Sequence, residues 1–329
     1  GAEVLSLFGD KIRARTAAKD AGVPILPASS GTATVESATA FFDSLGDGGA
    51  MLIKAVGGGG GRGMRVVKSI DELEEALKRC ASEAKAAFGN GDLYVESLVR
   101  NALHIEVQII GDSAGSVSHL HERDCSLQRR HQKLIEIAPS PQLSDPLRSR
   151  IHDAAVQLAS SAGYQNIGTF EFLVDGSDLC EQSAFYFIEA NPRLQVEHTV
   201  TEEVTGVDLV RVQFEIAGGA TLADIGLTQE TVPAPRGYSM QLRVNMERIA
   251  SDGTFKSTGG SLDAFDPPTG PGVRVDTFGY AGYETSPHYD SLLAKVIVST
   301  SRPVFDEVVQ RARRALTEFR IDGVATNIS

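Results

Sequence analysis

Apolar residues recur along this chain every three or four positions in some stretches and every second position in others, and the switches mark out its elements. Asp10 precedes a helical stretch over residues 11–21, closed by Gly22 and followed by Pro24, the order of cap, helix and stop. Residues 50–56 read as a strand. Ser69 and Glu72 have the spacing of a capping box, and Ile70, Leu73, Leu77, Cys80, Ala84 and Phe88 continue at helical spacing. Residues 93–96 and 105–110 read as strands; in the second, Ile105, Val107 and Ile109 alternate with Glu106 and Gln108. Ile151, Ala155, Leu158, Ala159 and Ala162 stripe a further helix that Gly163 ends. Residues 168–174 and 185–191 predict a strand pair, and Val304, Phe305, Val308, Val309, Ala312, Leu316 and Phe319 a last amphipathic helix. Strands lie close together in mid-chain, which predicts α+β over a doubly wound parallel sheet. A lobe boundary falls near residue 98.

Length and composition narrow this picture. A chain of 329 residues with 42% apolar content predicts two compact units, or one large unit with a lobe. No apolar run approaches the ~20 residues of a membrane helix, and the N-terminus lacks a secretory pattern, so neither membrane nor export is expected. Cys80, Cys125 and Cys180 show no metal-type spacing and predict a reducing, intracellular setting. The net charge of −12 argues against a nucleic-acid partner. Against that acidic background Arg123, Arg129, Arg130, His131 and Lys133 crowd into eleven residues, which reads as a focused anion site or a solvated basic face.

Two further stretches carry chemistry. Lys54 ends a strand that runs into Gly57, Gly58, Gly59, Gly60, Gly61, Arg62, Gly63 and Met64. A dinucleotide fingerprint would open a helix straight after its last glycine, whereas residues 64–68 read as a strand. A Walker loop is excluded, because no Lys-Ser or Lys-Thr follows. What remains is a glycine flap between strands, whose bare N–H groups can fold over phosphates while Lys54 adds charge. In residues 187–198, Glu189, Asn191, Arg193, Gln195 and Glu197 alternate with smaller or apolar residues, as on one face of an extended segment. Such a face suits a hard cation, phosphate and a small anion.

These segments, with Gly9-Asp10-Lys11, His104-Ile105-Glu106-Val107-Gln108, Gly168-Thr169-Phe170-Glu171-Phe172 and Tyr289-Asp290-Ser291-Leu292, occur in the order seen in one family. The chain resembles the biotin carboxylase component of biotin-dependent carboxylases, in the ATP-grasp superfamily. The resemblance implies an α+β ATP-grasp fold: a connecting segment at 1–22, a small glycine-flap lobe at 23–98, and a larger catalytic lobe at 99–329. Asn101-Ala102-Leu103 and Ser97 depart from the family's usual residues on the adenine side. The family's N-terminal dinucleotide-like domain is expected to precede this stretch, so the sequence reads as a fragment of a longer, oligomeric enzyme.

The resemblance also implies roles. Lys11, Lys54, Gly57 to Gly61, Met64, Glu96, His104, Gln128, His131, Glu171 and Glu189 would bind ATP, with Lys54 on the phosphates and Glu96 at the adenine. Glu171, Glu189 and Asn191 would hold Mg²⁺ or Mn²⁺. Lys133, Arg193, Gln195, Val196 (by its backbone) and Glu197 would cradle bicarbonate, Glu197 acting as base, and Arg243 would face the ureido oxygen of biotin. The implied reaction is ATP-dependent carboxylation of biotin carried on a partner protein or domain, for later use by a carboxyltransferase. The cytoplasm is the expected compartment, or the mitochondrial matrix in a eukaryote. Another ATP-grasp ligase and a non-catalytic ATP-binding module stay open as alternatives.

Overall fold

The chain, described here from a computed structural model, is seen over residues 1–29, 31–46, 48–57, 63–251 and 254–328. Helices α1 (Ala2–Gly9) and α2 (Lys11–Asp20) come first, and the Asp10 carboxylate between them accepts from the N–H groups of Ile12 and Arg13. Both pack onto the large lobe: Phe8, Ala14 and Ala18 are buried in its core.

A small antiparallel sheet follows, in the order β2 (Met64–Val67), β1 (Met51–Ala55), β3 (Leu93–Ser97). Helices α3 (Val35–Ser44) and α4 (Leu73–Phe88) cover one face, burying Ala38, Leu73, Leu77, Cys80 and Ala84 against Met51, Ile53 and Val95. The expected Ser69–Glu72 capping box is not what forms. Ser69 accepts from the N–H of Asp71, residues Ile70–Glu72 make a 3₁₀ turn, and Ile70 stays 40% exposed. The turn tightens the chain by a residue and delivers Leu73, not Ile70, as the first buried position of the helix.

The large lobe is built on eight strands, every pairing antiparallel. They are β4 (Ala102–Gly111), β5 (Val117–Arg129), β6 (Gln132–Ala138), β7 (Asn166–Asp175), β8 (Phe185–Asn191), β9 (Tyr238–Asn245), β10 (Val273–Thr277) and β11 (Leu292–Thr300). Their order is β10-β11-β9-β6-β5-β4-β7-β8. The fold is therefore α+β, as the clustered strands predict. One face is apolar: Ile105, Val107, Ile109, Phe170, Phe172 and Phe187 pack beneath α5 (Asp145–Ser161). At the other end Met240, Leu242, Val244 and Val296 pack beneath α8 (Phe305–Glu318).

The opposite face is polar yet buried. Glu106 and Gln108 alternate with those apolar residues, as on a half-solvated strand, but are 0% and 1% exposed. Helix α6 (His198–Thr205) lies over them and supplies Thr201 as a hydrogen-bond partner to their neighbour Arg123. Helix α7 (Leu209–Ala217) seals the end of that face over Ile110, Leu120 and Ile167. A face this polar can be buried only if its groups are paired with one another.

Candidate active site

Strand register sets the site. Glu171 on β7 stands opposite Glu189 on β8, and Thr169 opposite Asn191. Simple alternation would put Phe187 and Glu189 on one face. A register shift between Glu171 and Phe172 leaves one extra residue on β8, so Phe187 enters the core while Glu189 and Asn191 turn to the polar face. The extended segment expected over residues 189–197 ends at Asn191; the chain then bends, and Glu197 is the N-cap residue of α6. Gln195 and Glu197 reach the polar face from this bend, not from a strand.

Lys133 Nζ lies 2.5 Å from Glu106 Oε2, 2.7 Å from Glu197 Oε1 and 3.2 Å from Glu171 Oε1. Arg243 on β9 joins Glu136 Oε1 at 2.5 Å to Glu197 Oε2 at 3.0 Å. Arg123, fully buried, pairs with Glu106 and donates to Gln108, Thr169, Thr201 and, at 3.5 Å, to Gln195. Glu171 Oε1 also accepts from Asn191 at 2.8 Å and Gln195 at 2.9 Å. Its Oε2 lies 2.6 Å from His104 Nε2, and Gln128 Nε2 donates to His104 Nδ1 at 2.7 Å. That second bond places the imidazole proton on Nε2, facing the carboxylate.

The electrostatics follow from burial and charge together. Burial alone would raise Glu197, but Lys133, Arg243 and Arg123 outweigh it and bring it down to about 2. Glu171 is likewise driven well below its usual range: Lys133 and His104 overcome its burial. Glu136 goes the other way, to about 7, because burial, with Glu197 adding repulsion, exceeds what Arg243 returns. Lys133 is raised well above its ordinary value; burial opposes this, and Glu106 and Glu171 prevail. Burial and the charge of Glu106 hold the Cys125 thiol far above its usual range, so a nucleophilic thiolate is not favoured there.

The basic run does not act as one patch. Arg123 is a core residue; Arg129 pairs with Glu247 at 2.5 Å and stacks 3.7 Å over Phe255. Arg130 and His131, with φ of 50° and 66°, form the exposed β5–β6 turn. Arg123 meets Glu106 from within the core, and Lys133 reaches Glu106, Glu171 and Glu197. The reason is local: irregular pairing between β5 and β6 and the left-handed turn send successive side chains in different directions. His131 is thus not brought to the cluster. Arg193 is also exposed, bonding Leu194 O at 3.1 Å and Asn191 Oδ1 at 3.5 Å. The Val196 carbonyl accepts from Lys295 at 3.0 Å.

Toward the small lobe, Lys11 Nζ lies 3.7 Å from Glu189 Oε2, and an antiparallel bridge between Asp10 and Gly57 brings the start of α2 to the edge of the glycine loop. Burial lowers the Lys11 pKa. Lys54 and Glu96, assigned above to opposite ends of ATP, are ion-paired to each other, with Arg15 at 3.4 Å on the second carboxylate oxygen. Met64 is half-buried and pairs in register with Lys54. Gly58, Gly59, Gly60 and Gly61 lie outside the described residues. Two members of the cluster, Glu106 and Glu136, were not among the expected site residues. Glu106 looked like the outward half of an alternating strand, and nothing local distinguishes a solvated glutamate from one beneath α6.

A divalent cation fits this donor set. Glu106, Glu136, Glu171 and Glu197 are all at most 2% exposed, and they face three cations, Arg123, Lys133 and Arg243. The carboxyl groups outnumber the cations by one, with Glu136 raised to about 7, and Glu189 has Lys11 beside it. Glu171, Glu189 and Asn191 meet at one edge of this cluster: the Asn191 amide donates to Glu171 at 2.8 Å and to Glu189 at 3.4 Å. Hard oxygen donors, two of them carboxylates, suit Mg²⁺.

A small antiparallel lobe with a glycine loop, set against an antiparallel sheet that carries facing carboxylates, is an ATP-grasp architecture. Residues 10–225 match the profile of the carbamoyl-phosphate synthase L chain, ATP binding domain, and residues 241–329 that of the biotin carboxylase C-terminal domain. A solved Campylobacter jejuni biotin carboxylase, in complex with β,γ-ATP, superposes with a TM-score of 0.91 at 39% identity, over 100% of this chain and 70% of that one. The biotin carboxylase domain of Hydrogenobacter thermophilus 2-oxoglutarate carboxylase, with MgADP, ADP and bicarbonate, gives 0.91 at 42% identity, over 99% of this chain and 69% of that one. The chain belongs to the biotin carboxylase family. It is also 48% identical to pyruvate carboxylase 1 of Caenorhabditis elegans and 48% identical to the pyruvate carboxylase of Bacillus subtilis, covering 99% of this chain in each case. It spans 27% and 28% of those relatives. Among the described residues no helix is long and apolar enough to cross a membrane.

Proposed function

We propose that the chain carries the first half-reaction of a biotin-dependent carboxylase: ATP-dependent carboxylation of biotin by bicarbonate. The observation that carries this reading is the Lys133–Glu197–Arg243 chain of contacts, which couples a bicarbonate-side cation, a base and an oxyanion donor within one buried network. The small lobe, 23–98, would close its flap over ATP; the larger lobe, 99–329, would hold the reacting groups, with 1–22 connecting. Biotin would arrive on a carrier protein or domain and leave for a carboxyltransferase, in the cytoplasm or a mitochondrial matrix.

Mg²⁺, held by Glu171, Glu189 and Asn191, would neutralise charge on the phosphate oxygens; Mn²⁺ suits the same oxygen ligands. Lys11, Lys54, the glycine loop and Met64 orient the nucleotide, with Glu96, His104, Gln128 and His131 around it. Lys133, Arg193, Gln195 and the Val196 backbone orient bicarbonate so that one of its oxygens attacks the γ-phosphorus. The bond to the β-phosphate oxygen breaks, ADP leaves, and Glu197 takes the bicarbonate proton. Carboxyphosphate then falls to CO₂ and phosphate. Phosphate removes the N1′ proton of biotin, Arg243 stabilises the ureido oxyanion, and N1′ attacks CO₂.

A base at about 2 is too weak for this step as it stands. Its low value comes from Lys133 and Arg243, the groups that bicarbonate and biotin engage. When substrate draws those cations off, burial pushes Glu197 up toward a useful basicity. The decisive experiment separates the half-reactions in the full-length enzyme. Arg243→Ala should keep most bicarbonate-dependent ATP cleavage, since Lys133 still holds Glu197, and lose biotin carboxylation by about 10²–10³-fold, the scale of one oxyanion donor. Equal loss of both activities would remove Arg243 from the biotin step.

A further inference from the structure

Three of the chain's seven histidines meet away from the carboxylate cluster. His119 and His121 lie on β5 and His152 on α5; donor atoms of all three lie within 4.8 Å of one another. The His119 and His152 rings stack with centroids 4.1 Å apart, and His121 sits 5.4 Å and 5.9 Å from them. We propose that His119, His121 and His152 form a binding site for a borderline transition-metal dication of the Zn²⁺, Co²⁺ or Ni²⁺ class.

The neighbouring bonds orient the rings for this. The Pro233 carbonyl can only accept, so its 2.9 Å contact puts the His121 proton on Nε2 and leaves the Nδ1 lone pair open. Glu122 does the same for His152, at 2.7 Å from Nε2. Such a carboxylate or carbonyl behind the ring is the usual support for a ligating imidazole. Glu122 is itself fixed by Arg148 at 2.9 Å and by the Ser140 N–H at 3.1 Å. The His119 Nδ1 accepts only a 3.2 Å bond, from the His121 N–H, which coordination would replace.

The backbone supplies a separate observation. His121 has a φ of 62°, at the irregular stretch of the β4–β5 pairing, a conformation costly for a residue other than glycine. Nitrogen-only donors disfavour Mg²⁺ and favour the borderline dications, and the half-exposed position of His119 and His121 leaves room for water as a further ligand. Metal–nitrogen bonds of about 2.0–2.1 Å require the three donors to draw together by side-chain rotation. The bound ion would tie β5 to α5.

This site is independent of the biotin reading and is tested on the whole chain, stripped of metal and held in excess Mg²⁺. Titration with Co²⁺ should give visible d–d absorption that saturates at one equivalent. His121→Asn, which tolerates the left-handed backbone, and His152→Gln should each weaken binding at least about 10-fold, as removal of even a supporting partner does. His288→Gln, at an exposed position, should leave the Co²⁺ affinity unchanged. No saturable band, or a band of unchanged affinity in both variants, overturns the proposal. If either variant unfolds by circular dichroism, Zn²⁺ protection of His119 and His121 from diethyl pyrocarbonate in the unaltered chain decides: protection of these two but not His288 upholds the site, and its absence overturns it.

Discussion

Strand β5 carries two polar clusters on opposite sides, one buried and one half-exposed, and they handle charge differently. Toward α6, Arg123 enters a network of carboxylates and cations in which ion pairing holds Glu171 and Glu197 ionised. Toward α5, His119, His121 and His152 stack as rings, and Glu122 is the charged group among them. The first arrangement stores charge and can exchange partners when substrate arrives. In the second, burial disfavours the charged form of His119 and His121. A site for anionic substrates and a hard cation needs the former; the latter offers lone pairs.

The largest effect expected from breaking this contrast is at Lys133. Lys133→Met leaves Glu106, Glu171 and Glu197 without the cation between them, and removing one partner of a buried pair costs about 3–5 kcal/mol. Bicarbonate-dependent ATP cleavage in the full-length enzyme should fall more than about 10³-fold, beyond the usual effect of one lost donor, with a lowered thermal midpoint. His121→Asn, on the other side of β5, should leave turnover within about twofold. Comparable turnover in the two variants would mean that the Lys133 network is structural only.

Next comes the metal edge. Glu189 is the most open of the site carboxylates, at 29% side-chain exposure, so Glu189→Gln changes its charge with little packing consequence. ATP turnover should nearly vanish while the circular dichroism spectrum stays that of the parent. Turnover within twofold of the parent would take Glu189 out of the metal site.

What could be read in advance divides along the same line. Elements set by local chemistry were legible: Asp10 caps α2, Gly22 takes the left-handed φ of 74° after it, and the strand after the glycine loop excluded a dinucleotide fold. The α+β class followed from strand clustering, and the ATP-grasp assignment from the resemblance, which family membership bears out. The side-chain geometry was less legible. The shift that sends Phe187 inward and Glu189 outward depends on how β8 pairs with β7, and no period in residues 185–191 encodes it. The scatter of Arg123, Arg129, His131 and Lys133 depends on irregular pairing and a left-handed turn. Helix α1 has only eight residues, too few to show a clear helical period in the sequence.

The smallest effect is also the most discriminating, because it concerns sign. Glu136, on the catalytic side, is raised to about 7 from an ordinary 4.5. The folded state binds its proton more tightly than the unfolded one, so its contribution is complete below pH 4.5 and is lost as pH rises toward 7. Glu122, on the histidine side, is brought to about 2: burial would raise it, and His152 and Arg148 outweigh burial. Its contribution is complete above pH 4.5 and is lost as pH falls toward 2. Thermal midpoints of Glu136→Gln and Glu122→Gln, each measured against the parent from acid to neutral pH, should therefore diverge in opposite directions. The Glu136 variant should gain on the parent as pH rises past 4.5. The Glu122 variant should instead fall behind the parent as pH rises from about 2 to 4.5 and hold that deficit above, because Arg148 loses its counter-charge only where the parent's Glu122 is ionised. Differences of the same sign in both variants would mean that the two clusters share one electrostatic balance across β5, and that the contrast between them is one of residue type alone.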